Sequence, residues 1–276
     1  MGCGAHGRRP RSGGDDLTDE LLTIDGHEFV LRPLEGRRGT DGPIVLKKPR
    51  WLLERYLDLA EEFPDANIVE LGLFDGGSMA FLASAFRPRA LLGLELATEP
   101  LTSLDRFLDG SPLRDVVHVQ LGVDQADRAA VRAAVASHID GALDLVIDDA
   151  SHLLGPTTAS FDCLFPLIRP HGVFVVEDWS HDHRLAWGVR RRLASGDLTV
   201  EQIAHHIDPG ARIEPLSRLI VDLVLATSSP DGIVDEVQVR EGFALVRRGD
   251  AEIDPDTFSL RDHIGELGRA VSPRPA

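Results

Sequence analysis

Hydrophobic and polar positions follow a steady rhythm through the middle of this chain. Short apolar runs at 67–71, 90–96, 116–121, 143–147 and 173–176 each end in a turn. Between them, residues 78–86, 100–108, 126–137 and 157–168 repeat apolar residues at helical spacing. Strands that alternate with crossover helices in this way predict a parallel sheet with helices on both faces. Ahead of this block, residues 51–62 carry Trp51, Leu52, Leu53, Tyr56, Leu57 and Leu59 on one helical face, with Pro49 just before the start.

The rhythm changes at both ends. Apolar residues between Leu21 and Leu31 flank Asp25-Gly26, a dipeptide suited to a tight hairpin, so 17–46 reads as a β-ribbon extension. Beyond Asp178, residues 184–193 and 215–226 read as helices, and Trp187 is expected to pack in the core. Two β-branched runs, 233–239 and 243–246, then flank Arg240-Glu241-Gly242 as a hairpin. The fold class is therefore α/β, a Rossmann-like doubly wound sheet of seven strands closed by an antiparallel hairpin. The main domain spans 47–250, with 1–16 as a disordered tail and 251–276 as a polar, peripheral C-terminal tail.

Composition narrows the function. The 276 residues carry a formal charge of −16, which opposes binding to nucleic acid because that affinity rests on neutralising phosphates. No stretch approaches the ~20 apolar residues of a membrane span. Cys3 and Cys163 form neither a disulfide framework nor a zinc pattern, which fits a reducing cytoplasm, and Cys163 reads as a small buried hydrophobe. Self-association is left open.

Candidate chemistry gathers at the strand ends. An acid stands at or just past the end of each of the five strands: Glu70, Glu95, Asp124, Asp149 and Glu177. Open α/β sheets bind ligands at this carboxyl edge. The first turn, Glu70-Leu71-Gly72-Leu73-Phe74-Asp75-Gly76-Gly77-Ser78, has glycines that let backbone approach a ligand, but Phe74 stands where a dinucleotide fingerprint needs glycine. Gly72, Asp75, Gly76 and Ser78 are the candidate contacts there. Glu70 suits a cofactor with a cationic amino-acid end, and Glu95 suits the two hydroxyls of a ribose. Asp124 and Gln125 could address an adenine amine, and Asp124 is equally explained as a helix cap.

The fourth and fifth strands each stop on two acids, Asp148-Asp149 and Glu177-Asp178, with His152 three residues after Asp149. One crossover between them makes the two strands neighbours, so the acids meet at one edge. Carboxylates of this density suit a hard divalent ion such as Mg²⁺, with a histidine base beside it.

Those residues carry a resemblance. Asp148-Asp149-Ala150-Ser151-His152, Phe161, Leu164-Phe165-Pro166-Leu167-Ile168, Pro170-His171-Gly172 and Glu177-Asp178 resemble the metal-dependent sugar O-methyltransferases of macrolide biosynthesis. They are also similar to the cephalosporin-hydroxylase-like and rhamnosyl O-methyltransferase group. The likeness runs roughly over 47–182, and it departs at Ala150 and His171, where glycine is common. It implies a class I fold that binds S-adenosylmethionine through Glu70, Gly72, Ser78 and Glu95, and Asp148 is a further candidate cofactor contact. It implies Mg²⁺ on Asp149, Glu177 and Asp178, His152 as general base, and a hydroxylated small-molecule acceptor. The competing readings are an NAD(P)-dependent oxidoreductase on a related fold and a non-catalytic cofactor-binding subunit.

Overall fold

A computed structural model describes residues 20–32, 43–195 and 214–271. The 1–16 tail, Cys3 and the last five residues lie outside that set. Ten strands and eight helices follow one another among the described residues. The chain opens with β1 (Glu20–Ile24), β2 (His27–Leu31) and β3 (Ile44–Leu46), then α1 (Arg50–Glu62). The alternating block is β4 (Asn67–Leu71), α2 (Gly77–Phe86), β5 (Ala90–Glu95), α3 (Thr102–Leu108), β6 (Val117–Leu121) and α4 (Arg128–His138). It continues as β7 (Leu143–Asp148), α5 (Leu154–Leu164) and β8 (Ile168–Glu177). Then come α6 (His181–Ser195), α7 (Ser217–Ala226), β9 (Val234–Arg240), β10 (Phe243–Arg248) and α8 (Gly265–Val271).

The seven-stranded sheet has the order β6-β5-β4-β7-β8-β10-β9. Strands β4 to β8 pair in parallel, and β10 runs antiparallel between β8 and β9. The chain starts at the sheet's centre with β4, winds outward to β6, then returns to β7. That reversal opens a crevice above the carboxyl ends of β4 and β7.

Side chains alternate across the sheet, so each strand feeds two cores. Val69, Val146, Phe174 and Val176 pack on one face with Phe161 and Phe165. Ile68, Leu145, Ile147 and Val175 pack on the other with α1 and the N-terminal strands. Those strands form a separate small sheet, in which β1 and β2 make the hairpin around Asp25-Gly26 and β3 joins β2 in parallel. Both turn residues have positive φ, 49° and 81°, as a two-residue hairpin requires. The small sheet is pressed against the start of α2, where a Cβ on Gly77 would stand 2.1 Å from the Val45 carbonyl oxygen. This contact brings the segment after β3 over the crevice.

The structure departs from the expected elements at three places. The fourth crossover helix begins at Leu154 and ends at Leu164, and Phe165–Leu167 tighten into a 3-10 turn. Pro156 is tolerated in the first turn, where backbone N–H groups have no helical partner, and Pro166 stops the α-helix. The next strand then starts at Ile168 rather than Val173, with an irregular register against β7. His171 takes φ 64° within β8, the left-handed region in which glycine is cheaper. Trp187, expected in the core, is 64% exposed on α6.

The third departure is the C-terminal segment. Phe258, Leu260 and Ile264 are buried in the same core as Phe161 and Phe174. Phe258 lies 5.9 Å from the Phe165 ring and 5.3 Å from the His263 ring. The polar residues around these three masked their role in the linear pattern. Phe258→Ala should cost about 3–5 kcal/mol in chemical denaturation. A loss below about 1 kcal/mol would return the segment to the periphery.

Candidate active site

The register of β7 on β8 sets Asp148 against Val176, so the residues just beyond, Asp149 and Glu177, become neighbours. Alternation then separates the acids of the first pair. Asp148 follows Val146 onto the Phe161 face, where it is 2% exposed. There it accepts hydrogen bonds from Gln125 Nε2 at 2.9 Å, from Ser160 Oγ and from the Ala150 backbone. Burial raises its pKa to about 6, and the Ser160 bond opposes the rise. Gln125 also accepts from the Ser151 N–H at 3.0 Å, so the pair braces the loop that carries His152. That loop bends sharply, with φ 55° at His152.

Asp149 and Glu177 turn to the opposite side. The Lys48 ammonium donates to Asp149 Oδ2 at 2.7 Å and to Glu177 Oε1 at 2.6 Å. Tyr56, from the buried face of α1, donates to the same Glu177 oxygen at 2.5 Å. Lys48 is 7% exposed and Tyr56 1%. Burial and the charge of Asp149 push Glu177 up, to about 7, against the pull of Lys48. Burial and Glu177 raise the Tyr56 hydroxyl well above its ordinary value, so it stays a neutral donor. Asp178 is held by Arg184, and its backbone N–H donates to the Gly242 carbonyl in the β9–β10 turn at 2.7 Å.

Asp149, His152 and Asp178 each offer one ligand atom, and these atoms all lie within 4.8 Å of one another. The two carboxylates at this spacing suit a divalent ion, with the His152 imidazole beside it. Glu177, the third carboxylate expected in that set, faces Lys48 and Tyr56 instead. The His152 ring also sits 5.5 Å from the His181 ring.

A cavity of about 660 Å³ runs along the carboxyl ends of β4, β5 and β6 and reaches this cluster. Of the residues expected to hold a cofactor, Gly72, Asp75, Ser78, Glu95, Asp124 and Gln125 line it. Glu70, Gly76 and Asp148 stand behind the lining. Glu70 is fully buried, and neither of its carboxylate oxygens makes a hydrogen bond. Burial lifts its pKa to about 8, only partly offset by the Lys48 charge and the nearby Ser78 hydroxyl. A buried carboxyl group so poorly supplied with donors is the kind of group a cationic ligand satisfies.

Gly72 lets β4 meet the β7 turn, since a Cβ there would stand 2.4 Å from the Asp149 carbonyl oxygen. Gly76 acts through its backbone at the α2 N-terminus with φ 80°. Glu95 already accepts from the N–H groups of Leu73, Phe74 and Ala97 at 2.8, 3.0 and 2.9 Å. It therefore stiffens the glycine turn and keeps about one of its roughly four acceptor positions free for a ligand hydroxyl. Asp124 caps the next turn by accepting from the Ala126 N–H at 2.8 Å, and Asp75 accepts from Ser103 at 3.0 Å.

A second cavity, about 510 Å³, opens on the other side of the acids and is bounded by Trp51, Arg184 and the β9–β10 turn. Lys47, Lys48, Asp149 and Asp178 line both cavities and form the wall between them. Sequence reasoning missed Lys48 and Tyr56. Their partners lie 101 to 129 residues away, and no local pattern joins them. The one available signal was a tyrosine on the apolar face of α1, whose hydroxyl needed a buried partner.

Comparison with known proteins accords with this geometry. A family described as a methyltransferase domain matches residues 69–179, the stretch from β4 to just past β8. A rhamnosyl tetracenomycin-C 2′-O-methyltransferase from Streptomyces olivaceus is 30% identical over 64% of this chain and 48% of its own. The mycinamicin VI 2″-O-methyltransferase of Micromonospora griseorubida is 32% identical over 37% of this chain and 23% of its own. The chain thus spans about half the length of the first relative, and the second likeness is confined to a quarter of that protein. Among solved structures, the O-methyltransferase TomG of Streptomyces achromogenes superposes with a TM-score of 0.51 at 17% identity, covering 73% of this chain and 81% of its own. That likeness speaks for the fold alone. The sheet order and the crevice at β4 and β7 agree with that match, so residues 69–179 are similar to a methyltransferase domain.

Proposed function

We propose that this protein is an S-adenosylmethionine-dependent O-methyltransferase that acts on a hydroxyl of a small molecule, a sugar or other natural product. The observation that carries the proposal is the pair of cavities meeting at Asp149 and Asp178. The first cavity suits the methyl donor: Glu70 lies behind the wall at its ammonium end, Gly72, Gly76 and Ser78 give its amino-acid end room, and Glu95, Asp124 and Gln125 face its nucleoside. Asp75 shapes that wall and Asp148 braces it. The second cavity, with Trp51 as an aromatic wall, suits the acceptor.

The carboxylates of Asp149 and Asp178 would hold a divalent ion such as Mg²⁺, joined by Glu177 once Lys48 gives way. Bound there, the ion would supply Lewis-acid polarisation of the acceptor hydroxyl, and S-adenosylmethionine would supply the electrophilic methyl. His152 takes the hydroxyl proton as general base, its loop held by the Gln125–Asp148 brace. The wall of Asp149, Asp178, Lys47 and Lys48 keeps donor and acceptor on opposite sides with only the reacting atoms in reach, which is where much of the rate would originate. The buried thiol of Cys163 suits a reducing cytoplasm, the compartment we assign to the enzyme.

Transfer of labelled methyl from S-adenosylmethionine to a panel of glycosylated acceptors tests the activity. His152→Ala should lower kcat by about 10²–10⁴-fold while circular dichroism stays native. Asp149→Asn and excess EDTA should each abolish turnover; full activity in EDTA would remove the metal from the scheme.

Glu70 gives an independent, pH-dependent readout. Its folded pKa of about 8 stands above the ordinary 4.5, so the folded state keeps a proton that the unfolded chain releases. Ligand-free stability should therefore fall as pH rises from about 4.5 to about 8, and level off above. Glu70→Gln removes that dependence: its Tm should gain on the wild type between pH 5 and pH 8, while S-adenosylhomocysteine binds more weakly. A Tm difference that stays constant across that range would refute the assignment.

A further inference from the structure

Two of the three carboxylates expected to hold the ion are already bridged from within the chain. Lys48 leaves the short segment between β3 and α1, and its ammonium lies 2.7 Å from Asp149 and 2.6 Å from Glu177. A small divalent ion coordinates carboxylate oxygens at about 2.0–2.1 Å. Bound between the same two oxygens, it would overlap the space that the ammonium fills. We propose that Lys48 is the built-in competitor of the divalent ion, an internal cation that closes the ion site and must be displaced as the ion enters. The inference rests on the metal-assisted reading of the site given above.

Charge accounting supports an exchange over coexistence. Asp149, Glu177 and Asp178 contribute −3, and Lys48 and Arg184 contribute +2, which leaves −1. Adding a divalent ion while both side-chain cations stay takes the cluster to +1. Withdrawing Lys48 brings it to zero. Arg184 is 46% exposed and its charge is shared with solvent, whereas the Lys48 side chain is 8% exposed. The buried charge is the one an incoming ion feels most.

Geometry offers Lys48 a way out. It lines both cavities, and the adjoining 510 Å³ space takes a withdrawn side chain without moving the sheet. Tyr56 keeps its bond to Glu177 during the exchange and so holds that carboxylate in place. Without the ion, the Lys48 bridge neutralises acids that would otherwise repel one another at the sheet edge. Lys48 is thus a positioning residue that sets how tightly, and at what ion concentration, the centre fills.

The test uses the whole 276-residue chain and Mn²⁺ as the probe. Amine acetylation of the wild type, mapped by mass spectrometry, should leave Lys48 protected without the ion and raise its labelling by about tenfold at saturating Mn²⁺, with Lys47 as internal reference. Mn²⁺ binding followed by electron paramagnetic resonance should be about tenfold tighter in Lys48→Met than in the wild type. Protection of Lys48 that persists while the resonance reports bound Mn²⁺ overturns the competition and leaves the metal reading standing. Equal or weaker Mn²⁺ affinity in Lys48→Met does the same. No Mn²⁺ binding to either protein overturns both. The labelling arm needs no variant and so remains decisive even if Lys48→Met fails to fold.

Discussion

Three acids, Glu70, Asp149 and Glu177, converge on one buried stretch of sheet edge, and Lys48 is the ammonium set among them. Carboxylates so placed repel one another and lose water, and that cost is met only if a cation is supplied. Much of the surrounding architecture serves this condition. The small N-terminal sheet is clamped to α2 at Gly77, and the clamp holds the segment carrying Lys48 over the crevice. Helix α1 buries Tyr56 where its hydroxyl completes the shell of Glu177. The β-ribbon extension ahead of the main domain therefore supports the site, and its Val45 lines the larger cavity.

The same edge shows how one strand end performs two tasks. Asp148 and Asp149 are consecutive, yet strand alternation sends them to opposite faces. Asp148 joins Gln125 and Ser160 and fixes the loop before His152. Asp149 faces the ligand cavities. Phe74, His152 and Asp178 all adopt positive φ around this space. Non-glycine residues in that region carry strain, which is tolerated where the surrounding structure over-determines the backbone. Here the hydrogen bonds of Glu95, Gln125 and Gly242 do so.

Much of the candidate site was legible because it is made of strand ends. A run such as Leu145-Val146-Ile147 declares a buried strand, and the residues after it must lie at the carboxyl edge. What failed to show were the roles of individual acids. Nothing in the linear pattern shows that the Glu95 carboxylate also spends most of its capacity on three backbone N–H groups. Trp187 was read as core from its size, and α6 leaves it largely exposed. Phe258, Leu260 and Ile264 were overlooked because polar neighbours break their spacing, although the Phe161 core encloses them.

The sequence by itself determined the strand-and-helix alternation, the closing hairpin and the pairing of acids at neighbouring strand ends. Those follow from local periodicity and from the short range over which a crossover connects parallel strands. Only the tertiary structure decided which acid meets which partner. Lys48, Asp149 and Glu177 are brought together across 101 and 129 residues by sheet register and by the docking of the N-terminal layer. Such contacts leave no periodic trace in the chain, because the packing that creates them is a property of the assembled layers rather than of any one segment.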